Sequence, residues 1–338
     1  MQPIAPTDNI PDAMIRGQLQ HIITHSGVAD DLLQVEMTML ARLASSQPAL
    51  REAGTYTVKA GGKRLRALLV LLAARIGNYD FTRAVHPAVA IELLHAASLV
   101  HDDVIDHASS RRGRATVHMT WSRDVALALG DFLFCVAAHE LAGEPDPRII
   151  GFYVHAAQRM IEGELNPVTL VEPTAEAEHQ YYRKIGYKTA VLFEAACKSG
   201  IAVCGGSEAA VAALGVFGYQ LGLAFQIVDD ILDMVESSEI LGKPAGNDLR
   251  EGTITLPLIL AAAVSDAPVL RLPAAGPVDA PLVPTIIDAI QVAGGIELAY
   301  AAAQQCIQTG LAAVAPFAAP DVFASLESIA HVVLHRRA

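Results

Sequence analysis

The chain has 338 residues, 24 Lys and Arg against 36 Asp and Glu, and a net charge of −12, which excludes a general nucleic-acid surface. Apolar residues make up 52% and aromatics only 5%; alanine and leucine dominate, a balance that favours helix over sheet. The length allows a large core, and the mean hydropathy of +0.36 leaves apolar surface for a core, a dimer face or a greasy pocket.

Residues 1–17 read as a loose leader without the basic and apolar regions of a signal peptide. Apolar residues then recur at helical spacing and predict helices over 18–46, 64–77, 83–107, 121–142, 147–170, 175–185, 188–204, 207–236, 253–264, 284–311 and 320–336. Gly, Pro and Asn mark the short connections. The Pro- and Ala-rich stretch 264–284 reads as a surface excursion between late helices. No alternating pattern is long enough to build a sheet, and no apolar run approaches the ~20 residues of a membrane span. The expected architecture is all-α, one large helical bundle around a central cavity. Cys135, Cys197, Cys204 and Cys306 lack metal-site spacing and read as reduced core thiols in a cytoplasmic protein.

Two D-D-x-x-D clusters stand out in this apolar background: Asp102, Asp103 and Asp106 in LVHDDVIDHASSRRGRAT, and Asp229, Asp230 and Asp233 in AFQIVDDILDMVES. On a helix, i and i+4 share a face, so each cluster makes a wall of carboxylates. Carboxylates in apolar helices are costly unless paired or metal-bound, and Mg²⁺ takes one or two of them together with phosphate oxygens. His95 shares the stripe of Asp102 and Asp106, and Gln226 that of Asp230 and Asp233. Arg111 and Arg112 follow the first cluster, and their forked donors suit a diphosphate. Gly61 and Gly62 precede Lys63 and Arg66 at a helix start, which suits an anion. Lys188 and Thr189 open an apolar helix. Lys243 lies in a Gly/Pro-rich loop fit for a lid. Taken singly, each basic motif also fits a decorated helix end.

Together, GGKRLR, IELLHAASLVHDDVIDHASSRRG, YKTA, GLAFQIVDDILD and GKPAGNDLREGTITLPL resemble the trans-prenyl diphosphate synthases (polyprenyl synthetases), in that family's order and spacing, over roughly residues 30–336. The first motif lacks the insertion of bacterial short-chain farnesyl synthases. The Trp121 region and GNDLREGTITLP are similar to catalytic subunits that make hexaprenyl or heptaprenyl diphosphate. The resemblance makes 18–338 the catalytic domain. It implies condensation of isopentenyl diphosphate with an allylic diphosphate, giving an all-trans polyprenyl product. It implies Asp102, Asp106 and Asp229 as direct Mg²⁺ ligands and Asp103, Asp230 and Asp233 as assisting ones, around roughly three ions with substrate bound. Arg111, Lys188 and Lys243 match the allylic diphosphate site, and Lys63, Arg66, His95 and Arg112 the isopentenyl diphosphate pocket. Lys188, Thr189 and Gln226 match groups facing the developing carbocation. The chain departs from the family at Ala67, often Pro, and at Thr253, often Lys. A two-fold homodimer is implied, with a heteromeric partner and transient membrane contact for product release as further expectations. Terpene cyclases and head-to-head synthases share the aspartate logic, and a regulatory subunit is the non-enzymatic alternative.

Small residues before the first motif bear on product size. Ser98, Ala97, Leu94 and Ala90 line the helix below Asp102, with Ala90 roughly 18 Å down at 1.5 Å per residue. Farnesyl-making relatives often carry an aromatic floor near Ser98 and Ala97, so products of about twenty carbons or more are expected, with Phe132 or Phe134 as candidates for a deeper floor or for core packing.

Overall fold

The computed structural model of the chain describes residues 12–235, 246–272 and 276–335. It begins with α1 (Asp12–His25), α2 (Ala29–Arg42) and α3 (Pro48–Lys59). The helix expected over 18–46 is therefore two helices, and α1 starts inside the expected leader. The break is Gly27, left-handed at φ 71°, where Arg75 donates to the Ser26 carbonyl and leaves no room for a Cβ on Gly27. Helix α3, opened by Pro48 at its first position, was not anticipated.

The core is built on α4 (Leu65–Ala74) and α5 (Phe81–Ile105). Helix α4 is buried from Ala67 to Ala74, as an all-apolar helix must be. Asp80 caps α5 by accepting from the Thr82 N–H at 2.9 Å. A hairpin follows, Ser110–Arg111 (β1) with Arg114–Ala115 (β2). Its two central residues, Arg112 and Gly113, have φ 53° and 73°, the geometry of a tight turn that matches strand twist. A single turn, α6 (Val117–Thr120), not anticipated from sequence, precedes α7 (Arg123–Leu141), which is capped by Ser122 and corresponds to the predicted helix over 121–142. Helix α8 (Pro147–Glu164) ends six residues earlier than expected.

The predicted break between 185 and 188 is instead a continuous rod. Helix α9 (Thr174–Ile185) passes through a π-helical segment, Gly186–Ala190, into α10 (Val191–Val203). Helix α11 (Glu208–Val235) packs along α10 by its glycines. A Cβ on Gly222 would meet Ala190 and one on Gly218 would meet the Phe193 carbonyl. Two turns on, the same face presents Gln226 to Thr189. Helix α11 is long and apolar enough to cross a membrane, with a mean hydropathy of 1.7, contrary to the expectation that no run is. Here 67% of that window is inside the bundle.

The chain closes with α12 (Asn247–Glu251), α13 (Leu256–Val264), a 3₁₀ turn at Pro268–Leu270, α14 (Val283–Val292), α15 (Gly295–Val314) and α16 (Pro320–His335). One predicted helix over 284–311 is two, bent by 66° at Gly294, φ 77°. The 264–284 stretch is not merely a surface excursion: Leu270 is fully buried and the Val278 N–H donates to the Leu249 carbonyl. Cys197, Cys204 and Cys306 are buried free thiols, but Cys135 is exposed on α7 rather than in the core.

Candidate active site

The last turn of α5, the end of α8, the π segment and the second half of α11 converge at one end of the bundle. Asp102 lies within electrostatic reach of Asp106, Glu164 and Lys188. Burial raises its carboxyl to about 6, with Glu164 and Asp106 pushing further and Lys188 and Arg111 opposing. Asp106 is raised by burial and then by Glu164 and Glu251 of α12. Burial pulls the Lys188 ammonium down, but its 2.6 Å pair with Glu164 and the nearby aspartates leave it raised overall.

The middle aspartate of each motif is committed to the protein. Asp103 accepts from Arg111 Nε at 2.7 Å. Asp230, 5% exposed, accepts from the Tyr181 hydroxyl at 2.6 Å and from Gln226 Nε2 at 2.9 Å. The Thr189 hydroxyl donates to Gln226 Oε1 at 2.9 Å. Tyr181, Asp230, Gln226 and Thr189 thus form one buried chain. Asp233 accepts from the backbone N–H groups of Asn247 and Asp248, at 3.2 and 3.1 Å, and anchors α12. Burial raises Asp230, with Asp229 pushing further against its hydrogen bonds from Tyr181 and Gln226, and burial raises Asp248, with Asp230 and Asp233 pushing further.

A second, basic region adjoins the first. A cavity of about 1000 Å³ is lined by Lys63, Arg66, His95, Arg111 and Arg112 together with Phe193 and Phe225. The left-handed turn at Arg112 sends its guanidinium to the Gly61 carbonyl, whereas Arg111 turns to the acidic motif. A Cβ on Gly62 would stand 2.9 Å from Arg112 Nη1, so the glycine pair lets this arginine approach the loop. Arg66 stacks on the Phe193 ring at 4.4 Å. Burial lowers Arg66 to about 10, with Glu92 and Asp229 opposing, so it stays cationic near neutrality. Asp229 thereby links the second acidic wall to the basic cavity. Burial and then Arg66, Arg112, Arg111 and Arg64 hold His95 well below the usual histidine range. It is a neutral imidazole, able both to donate and to accept.

Glu92 was not singled out from sequence. It is 4% exposed, accepts from the Ala67 N–H at 3.1 Å and lies 3.8 Å from Arg64. It caps α4 from the neighbouring helix, because Arg64 at the N-cap offers no side-chain acceptor. Its position three residues before His95 was the available signal. Glu164 and Tyr181 were also missed, Glu164 because its helix was expected to run on past it. Lys243 lies outside the described residues.

The hard-oxygen, carboxylate-rich set at Asp102, Asp106 and Asp229 suits a hard divalent cation. Among the described residues no three His, Cys, Asp or Glu groups form a ready-made ligand cluster. The cavity follows the stripe Glu92, Ala96, Leu99 and Asp103 of α5. Ala97, Leu94 and Ala90 are buried on the stripe of His101, which packs against Gly130 and Leu127 of α7. Phe134 lies against Tyr153, ring centroids 5.7 Å apart, a core-packing contact.

A helical bundle with two acidic walls beside a basic, glycine-flanked cavity defines an isoprenoid synthase. The chain belongs to the polyprenyl synthetase family, whose sequence model matches residues 47–272. Heptaprenyl diphosphate synthase component 2 of Geobacillus stearothermophilus is 40% identical over 289 residues, 85% of this chain and 90% of that protein. A decaprenyl diphosphate synthase structure from Rhodobacter capsulatus matches with a TM-score of 0.85 at 31% identity, covering 94% of this chain and 98% of that one. The polyprenyl synthase of Caulobacter crescentus CB15, complexed with calcium and isoprenyl diphosphate, gives 0.84 at 31% identity over the same shares.

Proposed function

We propose that the two anion regions receive two different diphosphates, an allylic one at the acidic walls and isopentenyl diphosphate in the basic cavity. The chain is a chain-elongating prenyltransferase. One observation supports this division most: Arg111 and Arg112, adjacent in sequence and both bordering the cavity, take different partners, Arg111 the carboxylate of Asp103 in the acidic motif and Arg112 the Gly61 carbonyl of the glycine loop. A terpene cyclase, which takes a single diphosphate, would have no use for the second region.

In this reading Asp102, Asp106 and Asp229 hold about three Mg²⁺ ions, assisted by Asp103, Asp230 and Asp233. Bound Mg²⁺ supplies charge neutralisation for the departing diphosphate. Arg111, Lys188 and Lys243 hold the allylic diphosphate, Lys188 exchanging its Glu164 partner for a phosphate oxygen. Lys63, Arg66, neutral His95 and Arg112 grip isopentenyl diphosphate. The Thr189 hydroxyl donates its hydrogen bond to Gln226 Oε1, so its oxygen faces a developing cation with its lone pairs. The Asp230–Tyr181 chain keeps Gln226 in that orientation. The released diphosphate takes the last proton. The product is an all-trans polyprenyl diphosphate of about twenty carbons or more, because the helix below Asp102 carries small residues along roughly 18 Å.

Exposed Val154 and Ile161 on α8, Leu165 just after it and Leu127 on α7 support an apolar face for a two-fold homodimer. The component designation of the Geobacillus relative keeps a heteromeric partner in view. Four free cysteines support a reducing, cytoplasmic location, with membrane contact only for product release. The test is purified protein with Mg²⁺, radiolabelled isopentenyl diphosphate and allylic primers. Incorporation is expected from the chain alone, and Asp102→Ala or Asp229→Ala should lower turnover by orders of magnitude. Arg112→Ala should raise KM for isopentenyl diphosphate and Arg111→Ala that for the primer. Full turnover in excess chelator, or identical effects of both arginine variants on both substrates, would refute the reading.

A further inference from the structure

The cavity is larger than its proposed substrate requires. Isopentenyl diphosphate has five carbons, whereas about 1000 Å³ is at the top of the ~300–1,000 Å³ range that holds drug-sized molecules. One part of its lining is the basic set Lys63, Arg66, His95 and Arg112. Another part has a different chemistry. Leu19 and Ile23 of α1 and Leu32 and Leu33 of α2 line it. Leu33 is 57% exposed, and Met37 one turn along α2 is 55% exposed, so the apolar wall runs out to the surface. Such a wall is costly in water unless it is covered.

The charges around the cavity are not balanced internally. Its three carboxylates already have partners. Glu36 pairs with Arg64 at 2.9 Å, Asp103 with Arg111 at 2.7 Å, and Glu92 accepts from the Ala67 N–H. Arg112 donates to the Gly61 carbonyl and Arg66 stacks on the Phe193 ring, and among the described residues neither forms an ion pair with a carboxylate. An incoming anion meets these two cations, and a tail attached to it meets leucine and isoleucine.

We infer that the apolar part of the cavity, lined by α1 and α2, binds the hydrocarbon tail of a long-chain prenyl diphosphate whose head group occupies the basic set, so that the enzyme's own product class competes with isopentenyl diphosphate. This rests on the assignment of the basic set to isopentenyl diphosphate. The tail runs outward over α1 and α2, away from the acidic walls, and its occupant cannot react because its diphosphate is on the wrong side of the site. Accumulated product thereby slows the next elongation at a place separate from the growing chain.

The test uses saturated alkyl diphosphates, which cannot form an allylic cation. Inhibition by n-butyl and n-dodecyl diphosphate is measured against each substrate with the full chain and Mg²⁺. Competition against isopentenyl diphosphate is expected, strengthening by about tenfold or more from butyl to dodecyl as methylenes are buried. Leu33→Asp should flatten that dependence on tail length while butyl diphosphate inhibits as in the parent. A dodecyl diphosphate with a terminal diazirine should crosslink within residues 19–37. Tail-independent inhibition, competition against the allylic primer alone, or crosslinks confined to α5 and α7 would overturn the inference. Failure of butyl diphosphate to compete with isopentenyl diphosphate at all would instead remove the assignment of the basic set.

Discussion

Asp102 shows what a buried carboxylate costs the folded protein. Its pKa rises from 3.8 to about 6, so the folded chain holds its proton more tightly than the unfolded chain does. Stability therefore falls as pH rises through the window from about 4 to about 6, and the penalty is fully present above it. Asp102→Asn mimics the neutral form. The metal-free variant should melt above the parent at pH 7.5, with the gap closing toward pH 4; thermal melts in chelator at both pH values check this. An equal gap at both would exclude Asp102 as its source. Thiol chemistry gives a second residue-scale expectation. Burial pushes Cys306 up to about 11 and raises Cys197 and Cys204 as well, whereas Cys135 is exposed. Brief iodoacetamide treatment of the native chain at pH 8 should modify Cys135 alone, as read by peptide mass spectrometry.

Among the elements, the π segment decides where Lys188 and Thr189 point. A regular helix from Thr174 to Val203 would rotate them away from α11; the extra residue in the turn brings Thr189 to Gln226. Gly186 permits this by lying against the Tyr219 hydroxyl, where a Cβ has no room. Gly186→Ala should destabilise the chain by about 1–3 kcal/mol and lower turnover. Adding Tyr219→Phe removes the obstructing oxygen and should restore part of both losses. Additive effects in a denaturant double-mutant cycle would show that the two positions are not coupled.

At the scale of the molecule, the α5–α7 interface bears on product length. Ala97 is 2% exposed, so an aromatic side chain there intrudes on close packing beneath the acidic wall. Ala97→Phe should shorten the products while leaving the diphosphate sites able to turn over, at a stability cost of about 1–3 kcal/mol. Chromatography of dephosphorylated products from both proteins measures it. Unchanged product length would mean that the chain grows along another face.

The fold class and the two acidic walls were legible in the sequence because both depend on local period: apolar residues at helical spacing, and aspartates at i and i+4 on it. The basic motifs were legible because glycine beside lysine or arginine marks a turn that glycine adopts at little cost. Helix ends were less so. Gly27 and Gly294 break helices through left-handed turns whose need is set by packing partners such as Arg75, and the π segment depends on Tyr219 from another helix. The commitments of Asp103, Asp230 and Asp233, the cap that Glu92 gives to α4, and the opposite directions of Arg111 and Arg112 all join residues distant in sequence or fixed by one left-handed turn. Periodicity carries which residues share a face; only the packed bundle decides which faces meet, because burial and pairing are properties of the contact and not of either strand of sequence alone.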